Sequence, residues 1–374
     1  MAEPAENELY EAPATIRRML SCASAFIGSL NPDQRGLALL PMDDPGRLDW
    51  DFIPKIDRTG IPLAVLDQHQ RTIAQTLLRS GLSMGGYSKA LSIMAMENIL
   101  RELEWKNHGV VTGDFRSSDQ YFITLFGRPA FEDTWGWRFL GHHLSLSYTI
   151  IDQQYLSVTP CNMGAQPAQA GSLAPLREDE ELGFELLHSL SAENRQRAVI
   201  HDVAPADYVT RQVARVGKLE YPDYWDLGIP WYQINDADRE ALKFVKEAPA
   251  GIPASDMPGD RFELLMDLVG CYIERLPEEI SGKHMDRVRI AGPENLWFCW
   301  AGQEEPGTSH YYRIQGREIL IEFDNAIDSG NHIHSVWRDY RNDLGHELLL
   351  DHYERTALYG HHLTTRLQSS VPED

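Results

Sequence analysis

Basic residues are in short supply. Thirty-four lysines and arginines face 56 aspartates and glutamates, a formal net charge of −22 over 374 residues. Phosphate backbones are gripped by clustered lysine and arginine, so a nucleic-acid surface spread over the molecule is excluded, as is docking on an anionic membrane. Long apolar runs are missing too: no stretch approaches the ~18 residues a membrane span needs. Met1 to Leu20 is acidic and proline-containing rather than basic-then-apolar. The resulting expectation is a soluble, cytoplasmic protein. Cysteine is scarce, and Cys22, Cys161, Cys271 and Cys299 lie far apart with no C-x-x-C pair. That pattern excludes a disulfide framework and reads as reduced, buried thiols. Common catalytic signatures are absent as well: there is no G-x-S-x-G elbow, no G-x-x-x-x-G-K-[ST] phosphate loop, no G-x-G-x-x-G fingerprint and no H-E-x-x-H.

What is present suits a large globular core, with 43% hydrophobic and 24% charged residues. Apolar positions at helical spacing predict helices over Ala14 to Leu30, Gln68 to Arg79, Tyr87 to Leu103 and Arg261 to Leu276. Ser191 and Asn235 or Asp236 are expected to cap two more. Pro41 to Pro54 is too rich in proline and aspartate for a helix, and Met84-Gly85-Gly86-Tyr87 reads as a helix-entry turn. On the stripe of the third helix, Glu97 is out of place, and pairing to an arginine is its simplest explanation. The period then changes to two. Tyr121 to Phe126 is strand-like, and in GHHLSLSYTI strict alternation puts His142 with Leu144, Leu146 and Tyr148 and His143 with Ser145, Ser147 and Thr149. Asp152-Gln153 joins that run to QYLSV as a hairpin, and Asn162 to Pro175 reads as a long loop. Three strands (Asn295 to Gly302, His310 to Gln315, Glu318 to Asn325) form an antiparallel meander near the end. No internal repeat is evident. The fold class is α+β, with helical N-terminal and middle segments packed on a mostly antiparallel sheet built from distant strands. No linker is convincing, so residues 1–374 read as one domain, helical over 1–110 and strand-rich over 119–160 and 295–340.

Fourteen histidines are present, and their grouping points to a site. His332 and His334 form an H-x-H, which in an extended strand turns both imidazoles to one face. Two neutral imidazoles so placed can grip a transition-metal ion at ~2.0–2.1 Å. A third ligand is expected from His142 or His143 on another strand, one of the two but not both, with His310 opening a further strand nearby. Glu322 and Asp324 share a strand face with Leu320 and are expected as ligands, second partners of the histidines, or general bases. Arg338 and Arg138 are the cations that would hold an anionic substrate group. An all-nitrogen donor set suits copper, iron or zinc.

WGWRFLGHHLSLSYTI, HYYRIQGREILIEFDN and NHIHSVWRD, with RLDWDFIP and GGYSKALSIM upstream, resemble the bacterial and fungal proteins grouped as domain of unknown function family 3500. The resemblance runs from about Arg35 to Tyr353. It implies no catalytic residues to carry over, but His142, His143, His310, Glu322, Asp324, His332, His334, Arg338 and Asp339 match its signature segments. Gly316-Arg317-Glu318-Ile319 departs from it where a proline would follow the glycine. The leading expectation is a metal-dependent enzyme with a mononuclear histidine site, redox chemistry favoured, acting on a small organic substrate. The alternatives are a metal-free small-ligand-binding protein, its pocket lined by histidine and some of the nine tryptophans and fifteen tyrosines, and a metal-free histidine–carboxylate acid–base enzyme.

Overall fold

A computed structural model describes residues 7–55, 57–109, 116–129, 132–217 and 234–368. Among them are ten α-helices: α1 (Pro13–Ser29), α2 (Pro32–Ala38), α3 (Gln68–Ser80), α4 (Met84–His108), α5 (Arg177–Ser189), α6 (Ala192–Ala198), α7 (Asp236–Leu242), α8 (Gly259–Ile273), α9 (Glu278–Ala291) and α10 (His346–Gln368). The strands are β1 (Leu39–Leu40), β2 (Ile61–Pro62), β3 (Phe122–Phe126), β4 (Trp135–Gly141), β5 (Leu144–Ile151), β6 (Tyr155–Ser157), β7 (Cys161–Ala165), β8 (Val199–His201), β9 (Ile252–Pro253), β10 (Leu296–Gly302), β11 (His310–Gly316), β12 (Ile319–Ile327) and β13 (His332–Asp339). The fold is α+β, and none of the described helices is long and apolar enough to cross a membrane.

Local chemistry explains the helix boundaries. Pro13 begins α1, whose Ile16, Met19, Ala23 and Phe26 are buried. Asp67 caps α3 in a reciprocal box with Gln70, Asn235 caps α7 with Asp238, and Ser191 caps α6. Ser83 caps α4, and Gly86 in its first turn lies where any Cβ would strike the Arg275 carbonyl.

The strands form one mixed sheet in the order β1-β3-β4-β5-β7-β13-β12-β11-β10-β8, with β2 beside β3, β9 beside β10 and β6 beside β5. One face carries Trp137, Leu146, Tyr148, Ile321, Phe323 and Trp337 into the main core beneath α1, α3, α5 and α8. The opposite face is also buried, but polar residues stand on it: Arg138, Ser147, Glu322, Asp324 and Arg338. Irregular segments cover it, with Trp50, Phe52 and Tyr208 packed on Val336. The sequence expectation of a loop from Asn162 is corrected here. Residues as far as Ala165 form β7, at the centre of the sheet between β5 and β13.

The sheet order reads the same from either end, and the register shows why. Leu125, Trp137 and Tyr148 are successive partners across β3-β4-β5; Trp300, Tyr312 and Phe323 are successive partners across β10-β11-β12. Each residue lies 175 positions after its counterpart (125 and 300, 137 and 312, 148 and 323). A short parallel strand flanks each meander, β1 on β3 and β8 on β10. A Gly-Ile-Pro segment pairs antiparallel on each, Ile61 with Ile123 and Ile252 with Phe298. The chain therefore contains an internal structural repeat, which corrects the expectation of no repeat. Over the three strands only Gly127/Gly302, Arg138/Arg313 and Gly141/Gly316 are identical. The two halves meet where β7 pairs with β13.

Candidate metal centre

The β4–β5 connection is a two-residue turn, because Gly141 pairs with Leu144. His142 and His143 are that turn. His143 adopts φ 62°, a left-handed conformation that a residue with a Cβ occupies only at a cost of about 1–2 kcal/mol. Surrounding groups hold it there. The His143 N–H donates to the Phe52 carbonyl (2.9 Å), its own carbonyl accepts from the Gly164 N–H (2.7 Å), and the Tyr121 hydroxyl donates to the His142 carbonyl (2.8 Å). The alternation that set His142 against His143 stops at the turn. Their rings lie 3.6 Å apart, so the expectation that only one of them would face the H-x-H is corrected.

His332 and His334 share a face of β13, with ring centroids 4.8 Å apart. They meet the turn across β7, where Gly164 leaves the room: a Cβ there would stand 3.2 Å from His143 Cδ2 and 3.3 Å from His334 Cδ2. His143 Nε2 and His332 Nε2 face each other at 2.8 Å. Donor atoms of His142, His143 and His332 all fall within 4.8 Å of one another, as do those of Asp207, Asp324 and His334. The H-x-H is thus divided between two adjoining clusters.

Carboxylates stand behind the imidazoles. Glu97 of α4 lies 2.5 Å from His142 Nδ1 and 3.9 Å from His143 Nδ1. Asp328 is 3.5 Å from His332 Nδ1, and Asp207 is 3.3 Å from His334 Nδ1. For the His142, His143 and His332 trio, Glu97 and Asp328 give the outer arrangement that orients histidine ligands in metal sites. Arg116 adds a cation, with one guanidinium nitrogen 2.9 Å from His142 Nδ1, and ion pairs to Glu97 and Glu104. Burial, aided by Arg116 beside one ring and by the neighbouring histidines, depresses His142 and His143 well below the ordinary imidazole range. His332 is pushed down to about 4 by burial, against the pull of Asp328. All three are neutral at pH 7, the form that offers a metal a lone pair. Burial raises Glu97 to about 8 despite Arg116. It also raises Asp324 well above the carboxylate range, with Asp207 adding to the effect. Burial pushes Asp207 up as well, but His334 and Arg211 outweigh it and hold that group low.

A cavity of about 390 Å³ opens onto the cluster, with Phe52, Arg116, His142, Asp207, His332 and His334 on its wall. It is of the size that takes a small organic molecule.

Four expected site residues belong elsewhere. His310 lies on the opposite sheet face, packed among Trp300, Phe184 and Phe323, with Nδ1–H donating to the Thr308 carbonyl (2.7 Å). Glu322 is on the right face, but its oxygens are engaged by the Val209 N–H (2.8 Å), the Tyr311 hydroxyl (2.7 Å) and Thr210, so it ties residues 207–211 to the sheet. Arg338 is consumed by Asp343 and by the Arg211 and Val213 carbonyls. Arg138 donates to the Gly46 and Asp49 carbonyls, and its repeat counterpart Arg313 likewise donates to the Leu242 carbonyl. Both arginines hold covering segments and do not reach the cavity. Conversely, Asp207, Asp328 and Arg116 escaped sequence reasoning. Asp328 had a readable signal, four residues before His332 in the hairpin turn; Asp207 and Arg116 sit in irregular segments without one.

No curated protein and no solved structure matches the chain. A family model described as protein of unknown function (DUF3500) matches residues 12–346, and the chain belongs to that family.

Proposed function

We propose that the protein is a metal-dependent enzyme in which His142, His143 and His332 hold one divalent first-row ion, copper, iron or zinc, facing a small organic substrate in the cavity. One observation carries this reading: His143 Nε2 and His332 Nε2 converge at 2.8 Å, while the Nδ1 of His143 lies on the side of buried Glu97 and that of His332 on the side of exposed Asp328. Two rings aimed nitrogen to nitrogen can share one proton as a hydrogen bond or share one ion. The left-handed backbone at His143, where glycine would be the unstrained choice, supports selection for the side chain. An ion bound there would supply Lewis-acid or redox chemistry. The chain's own residues would supply the rest: Glu97 and Asp328 orient ligand rings, Arg116 offers positive charge on the cavity wall, and Phe52 limits water. With imidazole donors and no thiolate, oxidation or reduction of the substrate is favoured over hydrolysis.

The Glu97–His142 contact favours a second reading, in which this pair works as a metal-free acid–base couple. Elemental analysis of untagged protein prepared without chelator separates the two. The metal reading expects at least one equivalent of copper, iron or zinc, and one equivalent less in His143→Ala and in His332→Ala. Equal metal content in wild type and both variants, or a protein that refuses added metal, sinks it in favour of the acid–base pair.

A further inference from the structure

Asp207, Asp324 and His334 form a second cluster beside the histidine trio and share no residue with it. Asp324 is fully buried on β12, directly opposite His334 in the β12–β13 register. One of its oxygens, Oδ1, accepts from the Ala326 N–H (3.1 Å), but Oδ2 has no hydrogen-bond partner among the described residues. His334 is 8% exposed, and its Nδ1 also has no hydrogen-bond partner among them. That nitrogen stands 3.3 Å from Asp207 Oδ1 and 3.8 Å from Asp324 Oδ2. Asp207 is positioned from behind: the Tyr208 N–H donates to Oδ1 (2.8 Å) and Arg211 to Oδ2 (3.2 Å).

Neither spacing is that of a short hydrogen bond, and the 3.3 Å one is that of two donors on one ion. Side-chain hydrogen bonds cluster near ~2.7–3.0 Å, whereas two donors each ~2.1 Å from one ion lie about 3.0–3.4 Å apart at octahedral to tetrahedral angles. A fully buried carboxylate with a second, mostly covered one within 4.8 Å is costly unless a cation lies between them. Arg211 donates to Asp207 Oδ2 and also favours the Asp324 carboxylate, but no hydrogen bond from a described residue reaches Asp324 Oδ2.

We propose that Asp207, Asp324 and His334 form a second divalent-cation site, so that the centre holds two ions in one cavity. Two carboxylates and one imidazole make a harder donor set than three imidazoles and suit manganese, iron or zinc over copper. With the rings of His332 and His334 4.8 Å apart, the two ions are neighbours, placed so that an oxygen of a carboxylate- or phosphate-bearing substrate can bridge them. The proposal deepens the metal-centre reading of the same cavity without sharing its ligands.

Cobalt(II) titration of the metal-stripped full-length protein, followed by visible absorption and by equilibrium dialysis, tests it. Wild type is expected to take up two equivalents, and His143→Ala and Asp324→Asn one each. Wild type saturating at one equivalent, with Asp324→Asn still binding one, overturns the second site and leaves the histidine site standing. Wild type that binds one equivalent and loses it in Asp324→Asn, while His143→Ala keeps it, refutes the histidine site alone. If Asp324→Asn does not fold, His143→Ala decides: one retained equivalent supports the proposal, and none overturns it.

Discussion

Gly164 shows how much of the site depends on a side chain that is absent. It lies on β7 between the turn histidines and β13, and a Cβ there would come 2.5 Å from the Ile333 carbonyl as well as close to two imidazoles. The carbonyl belongs to the strand ladder and cannot move cheaply. Gly164→Ala is therefore expected to cost about 1–3 kcal/mol, as overpacking does, and to lower metal content by spreading the rings. Thermal melts with and without chelator separate the packing loss from the loss of bound metal. A variant that melts like wild type and keeps its metal would contradict this picture. At this scale the sequence was a good guide wherever a rule of period two applied. His332 and His334 share a face, and Glu322 shares one with Asp324, as alternation dictates. It misled at His142-His143, since a tight turn suspends alternation. It also misled at Glu322, Arg338 and Arg138, because nothing in sequence distinguishes a free charge from one already spent on loop carbonyls. Glu97 was half read: it does pair with an arginine, Arg116, but it also meets His142.

Among the elements, α9 carries a titration that can be measured apart from the candidate metal centre. Its His284 is buried between Tyr10 and Trp337, ring centroids 5.8 and 5.1 Å away, and burial pushes it down to about 4 against the pull of Glu318. His310 on β11 is likewise pushed down to about 4 by burial. In the unfolded chain both revert to ~6.5. Between pH 6.5 and 4 the unfolded state therefore binds protons that the native state refuses, so each histidine removes stability as pH falls through that window, to a limit of about 3 kcal/mol. Urea denaturation across that range should show a slope that drops by up to about 1.4 kcal/mol per pH unit in His284→Phe, while His310 keeps its share. An unchanged slope would mean that His284 is protonated in the native state. Of the two elements, the type of one is legible in the sequence and that of the other is not. The strand of His310 follows from its aromatic and β-branched run. Helix α9 was missed, because its apolar positions are diluted by charge. The strand β7 was missed because Asn-Met-Gly-Ala carries no β-branched residue and reads as loop until β5 and β13 enclose it.

On the scale of the whole molecule, the two repeats differ at the turn, and among the described residues only one of them carries histidines there. The turn equivalent to His142-His143 is Arg317-Glu318, and there Glu318 is bound by Arg287 of α9, much as Glu97 of α4 meets the histidines. One half supplies the turn, the other supplies β13 and Asp324, and the centre lies at their seam. The repeat was hidden because what it preserves is register and burial, which many apolar residues satisfy. Its clearest relics are backbone requirements. Gly60 and Gly251 precede equivalent Ile-Pro strands at φ 115° and 95°, each against a carbonyl of the neighbouring strand, Ile123 and Phe298. Gly60→Ala and Gly251→Ala should each destabilise by more than ~1 kcal/mol and by similar amounts in chemical denaturation. A loss at only one of them would argue against structural equivalence. The central claim, that the seam is a metal centre, is tested most directly by X-ray absorption at the metal edge on protein purified with its native metal. The account expects a shell containing imidazole nitrogens at ~2.0–2.1 Å, with the outer-shell scattering of the rings, reduced in His143→Ala. An absorption edge with no imidazole signature, or none at all from any first-row metal, would contradict it.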